Sequence, residues 1–427
     1  MRIAFFTLGC KVNQYETSVM ESMALAAGHT PVGADGEPDT VVVNSCTVTA
    51  ESDRKTRQML HRFRRAFPSA VIVVTGCLPQ AFPDKIAPED ADVVLGNVAH
   101  ARLFEDIDTF RQTGERVVDL TPHERGEAFV TPPIERFPER TRAYLKIQDG
   151  CERYCTYCAI PKARGFNRSK PPADVAKEAA TLAANGHKEI VLVGINLSAY
   201  GREIGCDLAD AVDAVCGAPG IERVRLGSLE PDLFTDEMLA RLRAQPAFCP
   251  QFHLALQSGC DATLHRMNRH YDTAFFADLV GRVRAAFPGA AITTDVMVGF
   301  PGETEEEFAR SLAFVREIGF ARCHVFAYSR RPGTPAAKMA GQVTAAVKQE
   351  RSRAMIAAAA ASERAYLQAQ IGRVENVLFE TYDKGCNKGY TPAYVTVAAP
   401  GPDRRGEIAA VRATALGDDG LIGEVVA

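Results

Sequence analysis

The sequence reads as an α/β protein of three successive parts: an N-terminal parallel-sheet α/β domain, a partial (β/α)6 TIM-like barrel, and a small antiparallel β-barrel at the C-terminal end. Three observations predict this. Val- and Ile-rich runs alternate with helical stretches over the first hundred residues, as βαβ units on a parallel sheet do. Six further β-like runs, separated by helical sequence, lie in residues 143–327, short of the eight that close a TIM barrel. The last segment turns to short alternating runs broken by Gly and Pro.

In residues 1–100 the strands fall at 3–8, 40–43, 71–75 and 92–95. Residues 101–140 carry a helical piece and then a Pro-, Arg- and Glu-rich stretch at 131–142, the composition of a connector. A second domain, 141–370, has strands at 143–147, 189–193, 223–226, 251–256, 291–297 and 322–327 and ends in an Ala-rich helix over 345–370. The third, 371–427, has strands at 376–379, 393–397 and 407–411.

Composition excludes some classes. With 427 residues, 46% hydrophobic and 24% charged, the chain is neither a disordered tail nor a disulfide scaffold. Its net charge of −4 gives no general polyanion-binding field, so a nucleic-acid surface has to be local. No run of 18 apolar residues occurs and MRIAFFTLGC reads as a strand rather than a cleavable signal, which predicts a cytoplasmic protein without a membrane partner. Twelve cysteines in a reducing compartment are then to be read for metal or redox chemistry.

Cys151, Cys155 and Cys158 form CxxxCxxC directly after the first barrel strand, where barrels place chemistry. Three thiolates on one loop suit a soft metal, and a four-iron cluster held by three of them keeps one iron without a protein ligand. A closed zinc site needs four ligands, usually paired CxxC units, and no second pair lies near in sequence. With Tyr157 before the last cysteine, the motif resembles that of the radical S-adenosylmethionine (SAM) enzymes. The resemblance implies SAM chelated at the open iron, a 5′-deoxyadenosyl radical on reductive cleavage, and an electron donor such as flavodoxin or ferredoxin. Gly194, Asn196, Ser228, Glu230, Gln257, Asp295 and Gly299 follow later strands and would line one rim around SAM, although each also suits a turn or cap.

Cys10, Cys46 and Cys77 each come just past a strand, so a parallel sheet brings all three to one edge. A second three-thiolate cluster follows. Two such trios and a terminal barrel resemble the methylthiotransferases, whose barrel is called a TRAM domain. That family implies two 4Fe-4S clusters, and SAM as both radical source and methyl donor. GCKVNQYET at 9–17, NSCTVT at 44–49, TGC at 75–77 and KIQDGC at 146–151 look like the MtaB-type branch acting on threonylcarbamoyladenosine in tRNA. A sister branch acting on isopentenyladenosine tends to have Gln-Met-Asn where this chain has Lys11-Val12-Asn13, and a ribosomal-protein branch Pro-Lys-Asn. Cys206, Cys216, Cys249, Cys260, Cys323 and Cys386 fit neither trio and read as structural.

The tRNA partner, through its anticodon stem-loop, needs cations. Residues 51–70 hold six Lys or Arg against two acids, with Arg54, Lys55, Arg62 and Arg65 able to share one broad helical side. Lys162, Arg164, Arg168 and Lys170 follow the second trio, either to meet RNA or to neutralise the SAM carboxylate. The terminal barrel has six Lys or Arg and eight acids, so only placed groups such as Lys384, Lys388, Arg404, Arg405, Tyr382, Tyr390 and Tyr394 would dock RNA there. Three readings compete: methylthiolation of tRNA, the same chemistry on a ribosomal-protein aspartate, and a non-enzymatic iron–sulfur RNA-binding or redox-sensing protein.

Overall fold

The computed structural model describes residues 1–132, 134 and 141–426. Strand β1 (Arg2–Thr7), helix α1 (Lys11–Ala26), β2 (Thr30–Pro31), β3 (Thr40–Ser45), α2 (Ala50–Ala66), β4 (Val71–Gly76), α3 (Cys77–Ala81), β5 (Val93–Leu95), α4 (Leu103–Thr113) and β6 (Val117–Asp119) build the first domain. Its sheet runs β2-β1-β3-β4-β5-β6, all parallel. β3 and β4 are apolar almost end to end because both faces are covered. Val41 and Val43 pack with Leu60 and Phe63 of α2, while Val42 turns to Met20 of α1 and Leu103 of α4.

This sheet passes the expected boundary at residue 100, since α4 and β6 extend it. β6 is a three-residue edge strand with Val118 exposed, so it has little of the apolar signal that marks a buried strand. Of the expected connector, residues 133 and 135–140 lie outside the described residues.

The second domain comprises β7 (Arg142–Lys146), β8 (Gln148–Asp149), α5 (Ile160–Arg164), β9 (Arg168–Ser169), α6 (Pro172–Ala184), β10 (Glu189–Val193), α7 (Leu208–Cys216), β11 (Arg223–Leu226), β12 (Ser228–Leu229), α8 (Asp236–Ala244), β13 (Gln251–Leu254), α9 (Asp261–Arg266), α10 (Thr273–Ala286), β14 (Ala291–Val298), α11 (Glu305–Ile318), β15 (Arg322–Ala327) and α12 (Ala345–Gln368). All six expected strands are present and parallel, in two sheets, β11-β10-β7 and β12-β13-β14-β15. β12 resumes one residue after β11, and Val224 bridges Phe248, so the sheets continue one another as an open barrel. Among the described residues no helix is long and apolar enough to cross a membrane.

The last domain is a closed barrel of β16 (Val374–Asp383), β17 (Cys386–Tyr390), β18 (Thr396–Pro400), β19 (Ile408–Gly417) and β20 (Gly420–Val425), in the order β16-β17-β18-β20-β19. The expectation of an antiparallel barrel holds for every pairing except β18 with β20, which is parallel. Parity requires this exception, because directions cannot alternate all the way round a ring of five strands. β17 and β20 escape a propensity reading because they carry Gly, Asn and Lys. Gly389 is needed there, since a Cβ would stand 2.2 Å from the Leu378 carbonyl oxygen. The barrel docks on the amino ends of β7 and β11: Arg223 donates to the Tyr390 (2.9 Å) and Asn376 carbonyls, Arg225 to the Pro392 carbonyl (2.7 Å), and Arg142 pairs with Glu380.

Candidate active site and cysteine trios

Cys10 caps α1, Cys46 follows β3 and Cys77 opens α3, all at the carboxyl edge of the first sheet. Burial pushes Cys46 up and Cys77 up to about 12; the charge of Cys10 adds to the rise at Cys46, and the charges of Cys46 and Cys10 add to it at Cys77. Two asparagines of the sequence motifs, Asn13 and Asn44, tie these turns together. Asn13 Nδ2 donates to Asn44 Oδ1 (3.0 Å), and Asn44 Nδ2 returns a bond to the Asn13 carbonyl (3.0 Å). Gly76 sits at φ +97, and a Cβ there would fall 2.5 Å from Asn44 Oδ1 and the Ser45 carbonyl, so only glycine admits Cys77 to the group.

The second trio lies on a loop pinned by backbone bonds from Cys151 N–H to the Gly165 carbonyl and from Thr156 N–H to the Met267 carbonyl, each 3.0 Å. Burial pushes Cys151 up to about 11 and Cys158 up to about 12. Tyr157 packs edge-to-face on Phe300.

Among the described residues no three His, Cys, Asp or Glu could hold a single metal ion. The donor set suits a cluster, whose thiolate sulfurs are stabilised by N–H bonds. Five of the six sulfurs accept one: Cys46 from Val48 N–H (3.5 Å), Cys77 from Arg164 Nε (3.3 Å), Cys151 from Asn196 Nδ2 (3.9 Å), Cys155 from Arg269 (3.3 Å) and Cys158 from Ile160 N–H (3.4 Å).

The proposed SAM residues divide. Gly194, Ser228 and Asp295 line a cavity of about 440 Å³ that also holds Cys10, so the first sheet's edge faces the barrel interior. Asn196 Oδ1 and Gln257 Oε1 are buried without a protein partner, as side chains awaiting a polar ligand are. Glu230 is already engaged, by Arg269 at 2.7 Å and Arg153 at 3.6 Å. It orients the guanidinium that donates to Cys155. Gly299 is a turn at φ +69 whose N–H bonds Glu303 (2.6 Å) beneath Lys348, and it is not in the cavity wall.

Residues 2–96 match the uncharacterized protein family UPF0004, and residues 145–315 match the radical SAM superfamily. The chain is 38% identical to the threonylcarbamoyladenosine tRNA methylthiotransferase MtaB of Bacillus subtilis (strain 168), over 96% of this chain and 93% of that protein. It belongs to the radical SAM methylthiotransferase family. The MtaB protein of Thermotoga maritima is also 38% identical, covering 97% of this chain and 95% of its own length. A tRNA-2-methylthio-N(6)-dimethylallyladenosine synthase of Pelotomaculum thermopropionicum is 34% identical, over 87% and 85%. Among solved structures, the radical SAM methyltransferase TsrM of Kitasatospora setae shares the fold at TM-score 0.58 and 17% identity, over 79% of this chain and 75% of that one. The chain is therefore a radical SAM methylthiotransferase that uses SAM and two 4Fe-4S clusters.

On this methylthiotransferase Arg54, Lys55, Arg62 and Arg65 are exposed along α2, whose Leu60 and Phe63 face inward. Arg54 pairs with Glu51, whereas Asp53 turns inward to Lys85 (2.6 Å) and Arg331 (2.9 Å), which removes an acid from the outer face. Lys162 is exposed, its ammonium 4.6 Å from the Phe82 ring centroid. Arg164 is a correction. Expected to meet RNA, it is fully buried, bonded to both oxygens of Glu16 and to Asp149 (3.3 Å). Arg168 and Lys170 are buried on Asp149 and Glu178 in the same way. A buried charge requires such partners, and its partner Glu16 lies far away in sequence. Tyr390 and Tyr394 stack on each other at 4.8 Å, with Arg142 and Arg225 against Tyr394, and Tyr394 enters the cavity wall.

Proposed function

We propose that this methylthiotransferase acts on tRNA, converting N6-threonylcarbamoyladenosine in the anticodon stem-loop to its 2-methylthio derivative. The observation that carries the reading is full-length identity of 38% to two proteins named for that activity. Cys151, Cys155 and Cys158 would hold the SAM cluster, with Asn196 and Gln257 offering free polar atoms to SAM. Cys10, Cys46 and Cys77 would hold the second. When bound, these groups supply one-electron cleavage of SAM to activate the adenine C2–H bond, and the sulfur that replaces its hydrogen.

The protein's own residues do the rest. The first sheet's edge and the barrel interior line one cavity, so a base held there would lie between Cys10 and the barrel strand ends that carry Gly194 and Ser228. The exposed cations of α2, with Lys162, would hold the RNA backbone. Electrons come from a cytoplasmic donor of the flavodoxin or ferredoxin class. The test is anaerobic incubation of the reconstituted enzyme with SAM, reductant and tRNA carrying threonylcarbamoyladenosine, read by nucleoside mass spectrometry. Product on that tRNA supports the reading; product only on dimethylallyladenosine would transfer the assignment to the other tRNA branch.

A further inference from the structure

The cavity that holds Cys10 also holds Lys11, the first residue of α1. Among the described residues no carboxylate stands at salt-bridge distance from its ammonium; its neighbours are Tyr394, Arg142, Arg225 and Glu189. The Tyr394 ring centroid is 5.8 Å from Nζ. Glu189 is already shared by Arg225 (2.8 Å), Arg223 (3.4 Å) and Arg142 (3.9 Å), and Glu380 by Arg142. Four cations here share two carboxylates. A largely buried ammonium without a counter-ion is costly, and an anionic ligand would relieve it.

The wall fixes the Tyr394 ring that faces that ammonium. Tyr394 takes a left-handed backbone conformation at φ +64, uncommon for a tyrosine, in the turn closed by its N–H on the Thr391 carbonyl (2.9 Å). Arg225 and Arg142 sit 4.7 and 5.0 Å from its ring centroid. Another wall of the cavity carries Asp295 with His253, 3.3 Å apart, and also His324 and Arg322, so Asp295 is the one acid among these lining residues.

We propose that Lys11 is a specificity-determining residue, its ammonium binding the carboxylate of the threonyl group that distinguishes threonylcarbamoyladenosine from adenosine and from the neutral dimethylallyl base. This rests on the substrate reading above. The ring geometry of adenine agrees with it: C2 and the carbon bearing N6 flank N1, so a base offering C2 toward Cys10 carries its N6 substituent one ring-width away. Lys11 is the next residue.

The test uses the anaerobically reconstituted enzyme and three stem-loop RNAs, bearing threonylcarbamoyladenosine, its carboxylate methyl ester, or plain adenosine. Binding is read by fluorescence anisotropy. Wild type is expected to bind the acid at least about thirtyfold more tightly than the ester. Lys11→Met should lose that ratio by weakening only the acid, and Lys11→Arg should keep most of it. An unchanged ratio in Lys11→Met, or a wild-type ratio of one, overturns the assignment. Should Lys11→Met lose its iron, Lys11→Gln is read in its place by the same ratio. Nucleoside mass spectrometry of the wild-type reaction separates the two ideas. Methylthiolated product together with an unchanged ratio overturns Lys11 alone, whereas no product on the acid RNA overturns the substrate reading and this inference with it.

Discussion

Arg164 donates its Nε–H to the Cys77 sulfur at 3.3 Å, although Arg164 belongs to the short helix that follows Cys158. One cysteine loop thus reaches into the other's surroundings, and the same guanidinium grips Glu16 of α1 and Asp149 of the barrel. Arg164→Leu leaves these two carboxylates short of a buried partner and is expected to cost about 3–5 kcal/mol. Urea unfolding measures it. Arg164→Lys should lie between the two, with unchanged tRNA affinity, because the side chain has no exposure to RNA.

Iron content separates the trios. Reconstituted wild type should hold about eight irons per chain, and the Cys10, Cys46 and Cys77 triple Ala variant about four, with 5′-deoxyadenosine still formed from SAM. The Cys151, Cys155 and Cys158 triple variant should form none. Equal iron in wild type and the first variant would remove the second cluster from the sheet edge that carries Cys10, Cys46 and Cys77.

Arg62→Ala with Arg65→Ala tests α2 as the RNA face. Both side chains are exposed, so folding and iron content should hold. Affinity for tRNA should fall irrespective of its sequence, and the slope of log affinity against log salt should shrink by about 0.7–0.9 per lost phosphate contact. Filter binding at several salt concentrations with a wild-type slope would place the RNA elsewhere.

Asp106 gives a pH signature away from the site. Burial, then the charge of Asp119, pushes its carboxyl up to about 6 from an ordinary 3.8. The folded chain keeps this proton where the unfolded chain has released it, so stability falls as pH rises from about 4 to 6 and stays lower above. Asp106→Asn should therefore raise Tm at pH 7 and change it little below pH 4. Equal shifts at both values would refute the titration.

The cysteine trios were legible because parallel strands end at one edge, so Cys10, Cys46 and Cys77 need only their strand-end context to be grouped. β3 and β4 were legible as double-faced apolar runs, whereas edge strand β6 and the Gly-bearing β17 and β20 lacked that signal. Arg164, Arg168 and Lys170 look in sequence like any solvent-facing cations. Only the fold brings Glu16 to Arg164, and only it brings Tyr394 to Lys11. Gly299 shows the converse: a glycine after a strand satisfies a motif equally well as a turn under Lys348.

Cys10 and Tyr394 line the same cavity, though one follows the first strand and the other belongs to the C-terminal barrel. During translation all six thiols of the trios leave the ribosome before Tyr394 is made. A nascent chain therefore presents both cysteine trios while the chamber beside Cys10 is still open on the side that the final domain closes when it folds against β7 and β11. Assembly order, as well as geometry, is written into the placement of that tyrosine.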